Sequence, residues 1–311
     1  MGIDMLTKSG IRVTSISEKI HVIHGKNRGR SPFSHSFLIL DTAHVLFDSG
    51  CGLDVLETVI RTCGIDLVVN SHSHPDHTAG NWLLQELCDP GILVPKECSD
   101  SISSAELLGY RFVGTELAAL WRERYLPVTG FRDFSLSESF SHGREVITGS
   151  LRFIAVHSPG HLLDHYCFYE PDEKILLGFD IDLSPFGPWY GHRESDIPTF
   201  RKSIEQASTM PVTTYFSSHA RPVKGPYVSK RLESYASIFE ARNSILCHCI
   251  PRNKPVNLTS LVDRSPFYGT DHSVGDLILR YGEEQMIIKH LQRLIDDSRV
   301  IESEDGFMLK S

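Results

Sequence analysis

The chain has 311 residues, 41% of them hydrophobic and 23% charged, and its 31 Lys and Arg against 39 Asp and Glu give a formal charge of −8. That length suits one large domain with a small one beside it, and the composition is that of a soluble globular protein. The negative charge argues against broad electrostatic affinity for nucleic acid or anionic membrane, and no apolar run approaches the length that spans a bilayer. The opening residues hold no apolar stretch of signal-peptide length. The seven cysteines (Cys51, Cys63, Cys88, Cys98, Cys167, Cys247 and Cys249) are odd in number and scattered, as reduced thiols of a cytoplasmic protein would be. Cys247-His248-Cys249 lacks a second Cys/His cluster to complete a tetrahedral site, so its thiols are read as incidental.

In chain order, residues 11–13 and 20–23 read as opening strands, followed by a basic, glycine-containing loop over 25–32. Residues 36–40 and 44–48 flank Asp41-Thr42-Ala43, a hairpin signal, and Asp48-Ser49-Gly50 ends the second strand. Residues 54–63 are predicted helical, with Val55, Val59 and Ile60 facing inward. The apolar run 66–70 has the length and β-branched content of a buried strand, and Ser71-His72-Ser73-His74-Pro75-Asp76-His77 follows it directly. Proline forbids continuation of the strand, so His72, His74, Asp76 and His77 fall on a loop at its C-terminal end, before a helix over 78–87. Two histidines two apart can grip one ion, and the Asp-His pair after them can turn the other way and grip a second.

Residues 91–95 read as a short strand and 105–125 as partly helical, placed here as a flap over the site. The strand 151–157 ends in Ser158-Pro159-Gly160-His161, with His157 inside the strand and His165 at the start of the next. Residues 166–169 and 174–177 form another hairpin that leads into Gly178-Phe179-Asp180-Ile181-Asp182. The loop 183–192, rich in Pro, Gly and aromatics, has the composition of a rigid pocket wall; Trp189 packs there, and Tyr190 and His192 are expected to donate hydrogen bonds to substrate. A helix capped by Ser195 or Asp196 runs to about 209, a strand over 212–218 ends at His219, and a helix spans 228–246. Beyond a proline-punctuated linker lie an amphipathic helix over 283–298 and a hairpin turning at Asp305-Gly306.

The His-x-His-x-Asp-His string resembles the signature of the metallo-β-lactamase superfamily of metallohydrolases. The resemblance implies an αββα sandwich with a binuclear metal site along one edge of its two sheets. It assigns His72, His74 and His161 to one ion and Asp76, His77 and His219 to the other. Asp180 bridges them, with Asp182 as the alternative, because Phe179 stands where the family has Gly. Ala220 likewise replaces a Gly after the last ligand. Helix followed by β-wing resembles the winged-helix tail of some relatives, dividing the chain into a catalytic domain over 1–249 and a winged-helix-like domain over 250–311. The wing carries Glu302, Glu304 and Asp305, so the tail is read as packing or forming a homodimer rather than reading DNA.

The resulting expectation is a cytoplasmic enzyme holding two divalent ions, zinc first, with iron or manganese as alternatives. A metal-bridging hydroxide, oriented by Asp76, would attack a small-molecule carbonyl substrate: a thioester, ester or lactone. The alternatives are a phosphodiesterase or ribonuclease on the same metals, and a mononuclear iron sulfur dioxygenase.

Overall fold

Alternation of side chains along the strands builds the interior of the molecule. The computed structural model describes residues 2–269 and 276–310. One sheet holds seven strands in sequential order: β1 (Val13–Ser15), β2 (Ile20–Ile23), β3 (Ser36–Leu40), β4 (His44–Phe47), β5 (Leu67–Val69), β6 (Gly91–Pro95) and β7 (Glu138–Phe140). The first four pair antiparallel, and β4 to β7 run parallel. The second sheet has the order β13-β12-β11-β10-β9-β8, from β8 (Glu145–Ile147), β9 (Arg152–His157), β10 (Tyr166–Glu170), β11 (Ile175–Phe179), β12 (Thr214–Ser217) and β13 (Val223–Lys224).

Odd-numbered residues of β3 and β4, namely Phe37, Ile39, Val45 and Phe47, share one core with Phe153, Ala155, Tyr166, Phe168, Ile175 and Leu177 of the second sheet. Leu38 and Leu46 point the opposite way, into a separate core with Leu56, Val59 and Ile60 of the helix Leu53–Cys63. Cys167 and Leu176 of the second sheet face outward in the same manner, onto the helices Ile197–Thr209 and Tyr227–Cys249. A period of two on each strand therefore separates three cores and stacks four layers, helix, sheet, sheet, helix. This is the αββα sandwich expected from the sequence.

Phe179, where glycine was expected, adopts φ 48° at the end of β11. That left-handed conformation costs a β-carbon residue roughly 1–3 kcal/mol. Its ring is fully buried between the sheets, edge-on to Phe37 at 5.5 Å and Phe168 at 6.1 Å. Burial of a phenyl contributes about 1.5–3 kcal/mol, enough to offset the strain. Ala220 has no positive φ to relieve, so the substitution after His219 is accommodated as well.

After the helix Tyr227–Cys249, the described residues contain a helix Leu258–Asp263, a helix Leu277–Asp296, and the hairpin β14 (Val300–Ser303) with β15 (Gly306–Leu309). Ile287, Leu291 and Leu294 of the long helix pack with Leu246, Leu261 and Val300, while Met286 enters the core of the helix layer on the second sheet. The helix begins six residues before the expected Glu283, because Asp276 caps it by accepting from Ile278 and Leu279 N–H. Among the described residues no helix is long and apolar enough to cross a membrane.

Candidate metal centre

Every donor of the predicted cluster follows the C-terminal end of a strand. His72, His74, Asp76 and His77 come after β5, His161 after β9, Asp180 after β11 and His219 after β12. Strands β4 and β5 run parallel, as do β11 and β12, so these ends lie at one edge of the sandwich. Proline at the first position of the single helical turn Pro75–Thr78 ends the extended loop, so His72 and His74 leave it before the turn and Asp76 and His77 within it.

Two groups of ligand atoms result, each lying within 4.8 Å of one another: His72, His74, His161 and Asp180 in one, and Asp76, His77 and His219 in the other. In the first, His74 Nδ1 is 3.0 Å from both His72 Nε2 and His161 Nε2. Asp180 stands between the groups. Its Oδ2 is 3.2 Å from His161 Nε2 and 3.7 Å from His72 Nε2, while its Oδ1 is 3.1 Å from His77 Nε2 and 3.2 Å from His219 Nε2. Asp76 Oδ2 lies 3.9 Å from His219 Nε2. Asp182 is outside the cluster, its carboxylate accepting from the Tyr235 hydroxyl at 2.8 Å and from Ser184 N–H at 3.0 Å.

The donor set fits divalent cations. His77 Nε2 and Asp180 Oδ1 are fully buried and, although 3.1 Å apart, meet without hydrogen-bond geometry, an expensive arrangement unless a cation satisfies them. The far nitrogen of each imidazole is occupied, which fixes its ring: His161 Nδ1 donates to Trp189 O at 2.8 Å, His219 Nδ1 to Gly29 O at 2.5 Å, and His77 Nδ1 contacts Asp48 Oδ2 at 2.7 Å. His72 Nδ1 donates to Ser71 Oγ at 2.9 Å, and that hydroxyl donates to Asp48 Oδ2 at 2.7 Å. Such outer partners orient metal ligands and raise their basicity. Imidazole and carboxylate without thiolate suit zinc, iron or manganese.

Burial drives His72 and His74 well below the ordinary imidazole range, helped by His77 and His161 respectively, so both stay neutral, the ligating form. His77 and His219 go the other way. Burial would lower them, but Asp180 outweighs it, raising His77 strongly and His219 to about 9. Burial would likewise raise Asp180, yet His77, His219 and His72 hold it well below the carboxylate range. A cation entering the second group therefore displaces protons.

Four residues that sequence reasoning left without a role belong to the site. Asp48, at φ 57°, braces both groups through His77 and Ser71; its signal was Asp48-Ser49-Gly50 at a strand end. Gly50 completes that motif, because a Cβ there would lie 1.5 Å from Asp76 O. Arg111, on the helix Ala105–Arg124, binds Ser73 Oγ at 2.9 Å, Asp164 Oδ1 at 3.0 Å and both oxygens of Glu194 at 2.6 and 2.8 Å, tying together three loops around the cluster. Tyr125 ends that helix. Burial, with the nearby Asp76 and Asp180 carboxylates, pushes its phenol well above the usual range, so it stays protonated beside the cluster. The segment expected as a flap forms the helix Ala105–Arg124, bent at Gly114, whose φ of 76° and ψ of 174° break the helical ladder.

The loop 183–192 requires two corrections. Tyr190 does not face the cluster: its hydroxyl is fully buried between His290 Nε2 at 2.6 Å and Arg242 Nη1 at 3.1 Å, away from any substrate. His192 does reach the cluster, but both its ring nitrogens are engaged, Nδ1 with Phe112 O at 3.2 Å and Nε2 with His74 Nε2 at 2.8 Å. Neither is free to donate to substrate. Trp189 packs as expected, its ring 5.6 Å from His74 and 5.7 Å from His161, and its Nε1 donates to Tyr268 Oη at 2.7 Å. His165 is no ligand: its Nδ1 donates to Ser158 O at 3.0 Å and its Nε2 accepts from Asp180 N–H at 3.1 Å, seating Asp180.

Comparison with known proteins shows the family and the fold. The sequence model of the metallo-beta-lactamase superfamily matches residues 31–219. A probable metallo-hydrolase of Methanocaldococcus jannaschii is 26% identical over 181 residues, covering 56% of this chain and 77% of that protein. A metallo-beta-lactamase family protein from Thermus thermophilus superposes with a TM-score of 0.67 at 17% identity, over 89% of this chain and 94% of its own. A beta-lactamase domain protein from Burkholderia ambifaria does so with a TM-score of 0.68 at 16% identity, over 96% and 93%. At such identities the solved structures speak to the fold alone.

Proposed function

The chain belongs to the metallo-beta-lactamase superfamily and is a metal-dependent hydrolase; from that premise we propose that it uses two divalent ions, bridged by Asp180, to hydrolyse a small carbonyl substrate such as a thioester, ester or lactone. The observation that carries the binuclear reading is the division of Asp180, one oxygen toward His72 and His161 and the other toward His77 and His219. Bound there, such ions supply an acidified water near neutral pH and polarise the carbonyl under attack.

The protein's own groups do the rest. Asp76, at the edge of the second group, orients the attacking water and accepts its proton. Tyr125 offers a neutral O–H for the oxygen on which charge develops. Phe112 and Trp189 form an apolar wall against His74, which favours an uncharged reacting group and keeps bulk water out. The net charge of −8 supports a small molecule over a polyanion. On this reading the winged-helix-like tail packs rather than reads nucleic acid, since Lys289, His290 and Tyr268 all hold the loop that carries Trp189 and His192.

Elemental analysis of protein purified without added metal tests the proposal. About two zinc, manganese or iron ions per chain are expected, falling by one or more in Asp180→Ala along with thioester or lactone hydrolysis. A single iron per chain, still bound in Asp180→Ala, would replace this reading with the sulfur dioxygenase; no metal even after reconstitution would end both.

A further inference from the structure

His74 differs from the other four histidines of the cluster in what holds its outer nitrogen. Their partners are oxygens: Ser71 Oγ, Asp48 Oδ2, Trp189 O and Gly29 O. The partner of His74 Nε2 is another imidazole, His192 Nε2 at 2.8 Å. A neutral imidazole both donates and accepts, so the direction of such a contact is open until a third group fixes it. That group is the Phe112 carbonyl, 3.2 Å from His192 Nδ1. A carbonyl only accepts, so Nδ1 of His192 carries the proton and Nε2 presents its lone pair. His74 must then carry its own proton on Nε2, which leaves Nδ1 bare where His72 Nε2 and His161 Nε2 converge.

The fold holds this chain of contacts from three sides. Phe112 lies two residues before Gly114, where the break in the helix frees carbonyls from the helical ladder. The Phe112 ring stacks on the His192 ring at 4.4 Å and 18°, and Trp189 meets its edge at 4.7 Å. The backbone carbonyl of His192 accepts from Lys289 Nζ at 2.7 Å, so the C-terminal helix sets the height of the imidazole.

We propose that His192 is a positioning residue that fixes the tautomer of His74, so that Nδ1 of His74 is the metal-facing nitrogen and loading of the three-histidine site depends on the seat of the helix Ala105–Arg124. The inference rests on the reading of His74 as a ligand. It differs from a packing role for His192 because it requires an acceptor at Nε2, not merely a ring of that size.

The test has two arms on the full chain. Long-range proton–nitrogen NMR of histidine-labelled protein, before metal is added, reads the tautomers directly: Nε2 protonated and Nδ1 bare in His74, the reverse in His192. The opposite tautomer in His74 overturns the proposal whatever the metal does. In the second arm, zinc affinity is measured by chelator competition for the wild type, His192→Phe and His192→Gln. Phenylalanine keeps the stack on Phe112 and removes the acceptor, so affinity at the first site should fall about 10- to 100-fold. Glutamine returns an oxygen near Nε2 and should recover most of that loss. Unchanged affinity in His192→Phe, or glutamine no better than phenylalanine, refutes the acceptor role. Thermal melts of the unloaded variants show whether each is folded, and if His192→Phe is not, the NMR arm decides alone. A wild type that takes up no zinc, manganese or iron would instead sink the binuclear reading, while the tautomers still report on His192.

Discussion

Tyr125 is the side chain best placed to separate chemistry from metal binding. Its phenol stays protonated next to Asp76 and Asp180, and a neutral phenol is not among the usual ligands of such ions. Tyr125→Phe should therefore leave metal content at the wild-type level and lower kcat by about 100-fold, the usual scale for one lost oxyanion donor. Turnover within twofold of wild type would remove Tyr125 from the reaction. The sequence could not single it out, because nothing local marks one tyrosine at a helix end as facing carboxylates 49 and 55 positions away. The cluster residues were legible for the opposite reason: four of them, His72, His74, Asp76 and His77, fall within six consecutive positions after one strand. Tyr190 and His192 were misjudged because the direction of a loop side chain depends on distant partners, here Arg242 and His290 for one and Phe112 for the other.

The loop 183–192 owes its shape to elements far along the chain. Arg242, buried within the helix Tyr227–Cys249, donates to Phe186 O at 2.7 Å, to Pro188 O, and to the Tyr190 hydroxyl. His290 on the C-terminal helix accepts the Tyr190 O–H at Nε2 and donates Nδ1–H to Asn243 Oδ1 at 2.6 Å. This network requires neutral His290. Burial, with Arg242 and Arg293 close by, lowers its pKa to about 3. Between pH 6.5 and about 3 the unfolded chain therefore binds a proton that the folded chain refuses, so the contribution to stability is complete above pH 6.5 and is lost as the pH falls. The slope is at most roughly 1.4 kcal/mol per pH unit for this one group. His290→Gln, which keeps polar contacts and cannot titrate, should show a shallower loss of Tm between pH 6.5 and 4 than the wild type; parallel curves would show that His290 does not drive the acid response. At this scale most strands could be read from alternation. The start of the C-terminal helix, six residues before the expected Glu283, could not, and its first turns include Gly282. It lies inside the helix, where a Cβ on Gly191 would come within 3.0 Å of Gly282 Cα, so two glycines let helix and loop approach closely.

Across the whole molecule, the centre joins two sheets that otherwise meet through their apolar faces. His72, His74, Asp76 and His77 hang from the first sheet, and His161, Asp180 and His219 from the second. Ions held between them bind the folded chain and find no such arrangement in the unfolded one, so their binding adds directly to stability. At free metal 100 times the dissociation constant, one ion contributes about 2.7 kcal/mol. For a chain of this size, about 1 kcal/mol moves Tm by roughly 2 °C, so stripping a single ion should lower Tm by about 5 °C and stripping two by more. Opposing effects remain when the ions are gone. Asp180 keeps its contacts with His77 and His219, which retains part of the junction, but His77 Nε2 and Asp180 Oδ1 meet without hydrogen-bond geometry in a buried place, which weakens it. Calorimetry with and without a chelator measures the sum. Asp180→Ala should shrink the increment that added zinc restores, because both groups lose an oxygen at once. His219→Ala removes a ligand from the second group alone and should spare the part that comes from the three-histidine site. Coincident melts with and without chelator, on protein shown by elemental analysis to have carried metal, would mean that the ions do not couple the sheets and that the inter-sheet core centred on Phe37, Phe168 and Phe179 holds the edge closed without them.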